Sequence, residues 1–333
     1  MSKPDIDARL PLIQDADLED KIVLVRVDHN VVKKGEVRDP YRIDATLGTL
    51  YNIVERGGRL IIMTHVGRTR DKETGRIEVG DDTSVQPVVG YLERKLYTEF
   101  VVPQFPVDLE WGIREIDTSI NLHIRDLRAH RIGGIYLPNT RWFQGEEASG
   151  EKRERFTVQL AGLADVFVND AFGSWQPHAS TVDITRHLPS FAGFLLQKEL
   201  SNLKHVLEPK RPFVAVVAGA KYDTKIGPLN EIYKKVDHLI LGGVMYNTFL
   251  CAKYGIRVGG VSESDIKAAR DLVNQDKKAQ KVLELPLVVE SETIEGRVEG
   301  TYRTRSIRDF KKGDEYGYFL DVVPESFDAP GVA

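Results

Sequence analysis

Four apolar runs in the first half of the chain each end in a short polar signature. The runs are KIVLVRVDHN, RLIIMTHVGR, GIYLPNTRWF and DVFVNDAFG. Apolar runs of this length, followed by helix-like segments, are typical of buried parallel strands. In open α/β sheets, ligands bind outside the carboxyl ends of the strands. The pattern therefore predicts an α/β fold with a ligand site where these runs end.

Strand-like and helix-like segments alternate from about Lys21 onward, which predicts a parallel sheet with right-handed crossovers. The expected strands are Ile22–Val27, Arg59–Met63, Phe100–Val102, Ile135–Leu137 and Val166–Val168. Apolar residues at helical spacing form three stripes, namely Leu47, Leu50, Tyr51 and Val54, then Val85, Val88, Val89, Leu92 and Leu96, then Phe156, Leu160 and Leu163. We expect each stripe to face the sheet.

A second domain is expected after a helical stretch that runs from near Phe191 to Leu207. The stretch ends at EPKRP, where two prolines break the pattern. Beyond it, FVAVV and HLIL predict two further buried strands. We therefore expect a first domain over 1–190, an interdomain helix over 191–209 and a second domain over 210–333. A length of 333 residues allows roughly two domains.

Composition excludes some classes of function. The net charge of -4 argues against a nucleic-acid partner, although it leaves room for a local basic pocket. The single cysteine, Cys251, cannot form an intrachain disulfide, which favours a reducing compartment. The amino-terminal residues lack the apolar region of a signal peptide, and no apolar stretch approaches the roughly 18 residues of a membrane helix. We expect a cytoplasmic protein without a membrane partner.

Arginine recurs where the apolar runs end. Arg26, Arg68 and Arg141 belong to three of these exits, and Arg42 lies just beyond the first. The guanidinium group is a planar fork that matches carboxylate and phosphate oxygens. The first half therefore predicts a site for a small, multiply charged anion.

Other polar residues at the exits allow two interpretations. A lone histidine such as His65 is often structural, but Arg68 three residues later favours an anion site. Asp28 and Asn30 either cap the next segment or contact the ligand. Asp170 could cap a helix. Trp142 and Phe143 are expected in the core.

The second half has glycines at its strand exits. Gly219 begins the segment GAKYDTK, in which Lys221 and Lys225 share one face if the turn opens a helix. Two cations near a helix amino terminus suit phosphate, and their position after a buried strand favours this over two solvated lysines. Gly242 and Gly243 could flank a nucleotide, but taken alone they favour a tight strand-to-helix turn. Standard dinucleotide and P-loop motifs are absent from the sequence.

Taken together, these strings resemble the phosphoglycerate kinase family over nearly the whole chain. The matching strings are VRVDHN, DPYRIDA, THVGR, PNTRWF, ADVFVNDAFG, HASTV, AGFLLQKEL, RPFVAVVAGAK followed by KIG, HLILGGVMYNTFL and LDVVPES. Their order along the chain makes the resemblance specific, whereas no single string would.

The resemblance implies two Rossmann-like parallel-sheet domains joined by a long helix. The first would bind 3-phosphoglycerate or 1,3-bisphosphoglycerate through Asp28, Asn30, Arg42, His65, Arg68 and Arg141. The second would bind Mg-ADP or Mg-ATP, with magnesium carried by the nucleotide rather than by a metal site of the protein. Gly219, Lys221, Lys225, Gly243 and Leu320 would lie along the nucleotide. Arg42 and Lys225 would stabilise the phosphoryl group during transfer.

The sequence departs from the family pattern in two places. Residues 174–178 read SWQPH, where the family has a longer string that contains an arginine. The family also continues after LDVVPES with loops that bind the nucleotide phosphates and magnesium. We therefore expect a truncated second domain that a partner chain or self-association covers. The alternatives to an active kinase are a catalytically impaired binding or scaffold protein of this family, and an α/β enzyme for another phosphorylated acid.

Overall fold

The chain folds into two compact units, Met1–Lys204 (unit 1) and His205–Ala333 (unit 2). The computed structural model describes residues 6–219, 226–296 and 299–328. The division between the units falls within a helix, Phe194–Leu207, at the place where the sequence predicts an interdomain helix. The finer division at 190/191 and 209/210 stays a proposal.

Unit 1 alternates strands and helices, as its sequence predicts. Its strands are β1 Ile22–Val27, β2 Val32–Lys33, β3 Glu36–Val37, β4 Arg59–Met63, β5 Phe100–Val101, β6 Val107–Asp108, β7 Gly112–Ile113, β8 Gly134–Tyr136, β9 Val166–Asp170 and β10 Ser190–Ala192. Its helices are α1 Tyr41–Asp44, α2 Leu47–Glu55, α3 Gln86–Leu96, α4 Ile120–Arg128, α5 Glu151–Ala161 and α6 Phe194–Leu207. The predicted bounds of β1 and β4 are confirmed, and those of β5, β8 and β9 differ by one or two residues.

The main sheet of unit 1 is parallel and has the order β10-β9-β1-β4-β8-β5. Successive residues of β1 alternate between two apolar clusters: Val23 and Val25 pack on the face that α2 and α3 cover, whereas Ile22 and Leu24 pack on the face that α4 and α5 cover. Side chains of a strand point alternately to the two faces of its sheet. Helices on both faces therefore confirm the α/β class.

One predicted helix stripe is partly wrong. In α2 the side chains of Leu50 and Ile53 are buried, but Tyr51 and Val54 are 48% and 53% exposed. Ile53, which the predicted stripe does not include, contributes to the sheet-facing cluster instead. An apolar residue in a short helix need not face the sheet, because such a helix buries only one side.

Asp170, the last residue of β9, holds the start of α6. Its Oδ1 accepts hydrogen bonds from the backbone N–H groups of Leu195 at 2.9 Å and Leu196 at 3.1 Å. Gly193 permits this contact, since a Cβ at that position would lie 2.3 Å from Asp170 Oδ1. Asp170 is a helix cap, so that part of the prediction is confirmed.

Unit 2 combines parallel and antiparallel pairings. Its strands are β11 Val214–Gly219, β12 His238–Gly243, β13 Arg257–Val258, β14 Leu287–Ser291, β15 Tyr302–Ser306, β16 Glu315–Tyr316 and β17 Tyr318–Val322. Its helices are α7 Ile226–Lys235, α8 Val244–Tyr254 and α9 Glu263–Ala279. The pairs β11-β12 and β13-β16 are parallel, and β15-β14-β17 is antiparallel. None of the helices in the described ranges is long and apolar enough to span a membrane.

The prediction that both FVAVV and HLIL are buried strands is confirmed only for HLIL. Leu239 and Leu241 of β12 are fully buried, but Val214 and Val216 of β11 are 47% and 69% exposed. Ala215 and Val217 point to the other face and pack against the core of unit 2. Within the described residues β11 is therefore covered on one face only, which its sequence cannot reveal.

The buried carboxylate of Glu290 links β14 by hydrogen bonds to neighbouring segments of unit 2. Glu290 of β14 accepts hydrogen bonds from Arg303 Nε at 2.8 Å, Arg305 Nε at 2.7 Å and the backbone N–H of Gly317 at 3.1 Å. Burial alone would raise the pKa of Glu290, but the hydrogen bonds from Arg303 and Arg305 outweigh burial and lower its pKa to about 2.

This lowered pKa predicts an acid-sensitive unit 2. The folded state holds the ionised form of Glu290 more tightly than the unfolded state does, where the ordinary value is 4.5. Stability from this group is therefore complete above that value and is lost as the pH falls towards about 2. We expect Glu290→Gln to flatten the pH dependence of unit 2 unfolding in this window, measured by hydrogen exchange of β14 amides. Glu315→Gln removes an exposed carboxylate of the same unit, and a flattening of equal size there would contradict the assignment.

Candidate anion-binding site

Five of the six side chains predicted to hold the anion lie at the carboxyl edge of the unit 1 sheet. Asp28 and Asn30 follow β1, Arg42 belongs to α1, His65 follows β4, and Arg141 lies in a 3₁₀ turn after β8. Because β1, β4 and β8 are consecutive neighbours in the parallel sheet, their exits are adjacent. The parallel sheet thus brings polar residues that are distant in sequence together on one surface.

Asp28 and Arg42 form an ion pair on this surface. Arg42 Nη1 lies 3.2 Å from Asp28 Oδ2, and the two side chains are 53% and 8% exposed. The other carboxylate oxygen of Asp28 is buried and has no hydrogen-bond partner among the described residues. The pair lines an open cleft of about 240 Å³ together with Phe172 and Gly173. A buried acid thus orients a half-exposed guanidinium that can still bind a ligand.

The loop after β4 is fixed by side chains from two other strand exits. Asn30 Oδ1 accepts a hydrogen bond from the backbone N–H of Gly67 at 2.8 Å. Asn139 binds both backbone groups of Val66, at 3.1 and 2.7 Å. Arg141 Nη1 donates to the carbonyl of Gly67 at 2.6 Å. Asn30 therefore braces this loop rather than capping a helix, and Asn139 is a supporting residue that the sequence analysis did not assign to the site.

Gly67 sits at the centre of these contacts with a φ of +65°, and an added Cβ would lie 3.2 Å from Thr83 Cγ2. A side chain in the left-handed region costs roughly 1–2 kcal/mol. We expect Gly67→Ala to lower the free energy of unfolding by about that amount. It should also weaken binding of 3-phosphoglycerate, the anion that the sequence resemblance implies, because Asn30 and Arg141 bond to this residue. Calorimetric titration and denaturant unfolding measure the two effects.

Gly75→Ala is the matched control. Gly75 has a φ of +75°, and no atom would lie within 4 Å of an added Cβ. The same backbone strain should therefore reduce stability without changing anion affinity. If both variants lost affinity equally, the Gly67 contacts would not be the cause.

The carboxylate of Glu147 lies close to two arginines and one histidine. Glu147 Oε1 lies 3.1 Å from Arg141 Nε and 3.8 Å from His178 Nε2, and Glu147 Oε2 lies 3.9 Å from Arg70 Nε. Burial lowers the pKa of His178. The segment 174–178, which lacks the expected arginine, thus places His178 beside Arg141, whereas Gln176 is exposed.

Arg68 is the exception among the predicted residues. Its side chain is exposed and forms no hydrogen bond or ion pair within the part of the chain that the structure describes. Arg68 thus shows no contact comparable to the Asp28–Arg42 pair or to the bonds of Asn30 and Arg141 with Gly67 within the described residues. Its role in binding the anion stays a prediction.

Arg26 is a polar residue to which the sequence analysis gave no specific role. It lies within β1, is 1% exposed, and donates to the carbonyl of Val27 and to Ser180 Oγ. Its Nη2 lies 3.1 Å from Nδ1 of His65, which is itself 8% exposed. The signal in the sequence was an arginine inside an otherwise apolar run, because a buried charge needs dedicated partners.

His65 is neutral in this environment. Burial, followed by the positive charges of Arg26 and Arg141, lowers the pKa of His65 to about 2. The residue can therefore offer a hydrogen bond but not a positive charge to an anion near neutral pH.

The predicted nucleotide residues in unit 2 are only partly described. Gly219 and Gly243 are register partners at the carboxyl ends of β11 and β12. Gly243 has a φ of +59° and directly precedes α8, so the tight-turn interpretation is confirmed. Leu320 lies in β17, whose neighbouring carbonyl at Phe319 accepts a hydrogen bond from Asn247 of α8 at 2.8 Å. Lys221 and Lys225 lie outside the described residues.

Comparisons with known proteins point to one family. Residues 13–330 match the family model described as phosphoglycerate kinase. The phosphoglycerate kinase of Moorella thermoacetica is 36% identical over 288 residues, which cover 84% of this chain and 68% of the relative. That of Maricaulis maris is 38% identical over 258 residues, covering 76% and 59%. The chain thus spans about three fifths to two thirds of the length of these relatives.

Solved structures agree with the sequence comparisons. The structure of phosphoglycerate kinase from Coxiella burnetii aligns with a TM-score of 0.71 at 27% identity, covering 96% of this chain and 76% of that one. The phosphoglycerate kinase from Pyrococcus horikoshii aligns with a TM-score of 0.70 at 20% identity, which supports the fold alone. The expected two-domain, Rossmann-like α/β class is consistent with both.

Proposed function

Since this chain belongs to the phosphoglycerate kinase family, we propose that it transfers a phosphoryl group reversibly between ATP and 3-phosphoglycerate, with ADP and 1,3-bisphosphoglycerate as products. The observation that carries the proposal is the group of Asp28, Arg42, His65 and Arg141 at one edge of the unit 1 sheet. Arginine and neutral imidazole donors suit an acid that carries both a carboxylate and a phosphate. The reaction would serve glycolysis and gluconeogenesis in the cytoplasm.

The acid substrate is proposed to bind at the carboxyl edge of unit 1. The half-exposed Arg42, oriented by Asp28, would contact the group that accepts or donates the phosphoryl. Arg141 pairs with Glu147 and donates to the Gly67 carbonyl. An anion that binds Arg141 would therefore compete with Glu147 for its guanidinium group. Asn30 would act through the Gly67 loop.

The nucleotide is proposed to bind to unit 2 as Mg-ATP or Mg-ADP. Gly219 and Gly243 support this proposal, because glycine at a strand exit lets a ligand approach the backbone closely. The amino end of α8 follows Gly243 directly and favours negative charge. Lys221, Lys225 and Leu320 complete the proposed set on the strength of the family resemblance.

The proposed reaction requires little covalent catalysis by the protein. The acceptor carboxylate is already ionised near neutral pH, so no general base is required. The protein contributes alignment of the reactants and stabilisation of charge on a loose, in-line phosphoryl transfer. Arg42 and Lys225 would neutralise the charge on the transferring group.

Steady-state assay of ADP formation from Mg-ATP, with and without 3-phosphoglycerate, tests the proposal. We expect turnover that depends on 3-phosphoglycerate and that another phosphorylated acid, such as 2-phosphoglycerate, does not support. Binding of 3-phosphoglycerate without any transfer would count against the kinase and would favour the non-catalytic alternative. Transfer to the other acid at an equal rate would indicate a different substrate for the same site.

A further inference from the structure

We infer that Arg26 is a positioning residue that locks the neutral ring of His65 in the tautomer with its proton on Nε2. Arg26 Nη2 lies 3.1 Å from His65 Nδ1. A guanidinium group has only donors, so a hydrogen bond at this distance requires a lone pair on Nδ1. A neutral imidazole with a lone pair on Nδ1 carries its proton on Nε2.

Arg26 has little freedom to adopt another arrangement. Its Nε donates to Ser180 Oγ at 2.9 Å, and Ser180 Oγ donates in turn to Glu146 Oε1 at 2.5 Å. The backbone N–H of Ser180 also donates to Glu146 Oε2 at 3.0 Å. Arg26 Nη1 donates a further hydrogen bond to the Val27 carbonyl at 2.5 Å. Because these bonds hold Nε and Nη1, the remaining nitrogen Nη2, which faces His65, is preorganised.

A second group contacts the same nitrogen of His65. Ser174 Oγ lies 3.4 Å from His65 Nδ1. A hydroxyl can donate or accept, so Ser174 follows whichever tautomer is present and does not select one. Arg26 can only donate, and it therefore makes the selection.

Burial and the surrounding charges keep the selected ring neutral. After burial, the groups that act on His65 are Arg26 of β1, Arg141 of the turn after β8, His178 of the loop after β9 and Arg42 of α1. Asp28 and Glu147 pair with Arg42 and Arg141 rather than with the imidazole. The cationic environment opposes a second proton on the ring.

The consequence for ligand binding rests on the proposed function. His65 Nε2 forms no hydrogen bond to another part of the described chain. Its N–H would therefore be free to donate to an oxygen of the phosphoglycerate. The neutral ring would donate a directed hydrogen bond without adding a positive charge. The strength of this hydrogen bond would not change across the physiological pH range.

Nitrogen-15 NMR of the histidine rings measures the tautomer directly, with or without substrate. In the labelled protein, with the His65 signal assigned from its loss in His65→Gln, we expect an unprotonated Nδ1 and a protonated Nε2. The signal should not titrate between roughly pH 5 and 8. A protonated Nδ1, or titration near the ordinary histidine pKa of about 6.5, would overturn the inference.

Two variants separate Arg26 from its neighbour. Arg26→Met removes the obligate donor at similar length, and we expect a mixture of tautomers or a raised His65 pKa. Ser174→Ala leaves the donor in place and should preserve the Nε2–H form. A switch in Ser174→Ala with no change in Arg26→Met would reverse the assignment. If the tautomer is as expected but 3-phosphoglycerate does not bind, the proposed function fails while this inference stands.

Discussion

If Arg42 acts in the proposed phosphoryl transfer, its replacement by alanine is expected to lower kcat by at least ~10³-fold, which is the low end of the range for an arginine that stabilises a transferring phosphoryl group. Its side chain is half exposed, and within the described ranges it forms an ion pair with Asp28. Because Asp28 is buried, loss of its partner should lower the free energy of unfolding by about 1–3 kcal/mol. The variant should therefore be folded and nearly inactive. Steady-state kinetics and denaturant unfolding on the same preparation measure both quantities.

Arg38→Ala provides the matched control. Arg38 is 59% exposed and lies four positions earlier in the chain, and its side chain forms a long ion pair with Glu36 at 3.9 Å. Its replacement should leave kcat within about twofold, because surface pairs of this kind contribute little. Arg42→Lys adds a second test, since a lysine keeps the charge but loses the planar fork. Turnover that persists in Arg42→Ala, or that falls equally in Arg38→Ala, would remove Arg42 from the proposed mechanism.

The largest effect on stability is expected from Phe156→Ala. Phe156 of α5 is 2% exposed, and its ring is stacked on that of Phe143 with centroids 4.8 Å apart. An added Cβ at Gly145 would lie 2.3 Å from Phe156 Cβ, so the helix already approaches the neighbouring loop closely. Truncation of a buried phenylalanine that leaves a cavity costs about 3–5 kcal/mol. We expect unit 1 to lose that much free energy of unfolding.

Hydrogen exchange of β1 and β9 amides is the appropriate measurement, because a chain with two units need not unfold in one transition. Val158→Ala on the same helix is the control, since that side chain is 51% exposed. It should change stability by no more than about 0.5 kcal/mol. A loss below about 1 kcal/mol in Phe156→Ala would show that the surrounding side chains collapse into the space.

The sequence predicted the architecture of unit 1 well because its strands are buried on both faces. β1 consists of six buried residues in succession, and such a run has few other interpretations. The exits of these strands could be grouped from the sequence alone, since parallel strands end at one edge of their sheet. The stripe in α2 and the exposure of β11 were mispredicted because periodicity does not show which neighbours cover a face.

The contacts that arrange the site could not be predicted in the same way. Arg26 meets Ser180 across 154 positions of sequence, and Asn139 meets Val66 across 73. No local pattern encodes such partners. The sequence analysis grouped Arg26 with the arginines at the strand exits, and only the geometry shows that it is buried and donates towards His65. Lys221 and Lys225 stay predictions.

The parallel sheet also bears on how such a protein can diverge. β9 is paired on both sides, by β1 and β10, so its position does not depend on the segment that directly follows it. Segment 174–178 can therefore gain, lose or exchange residues during evolution while the strand beneath it keeps its register. Substrate preference could therefore change through substitutions in this segment alone. Replacing the segment with that of a relative should leave unit 1 folded.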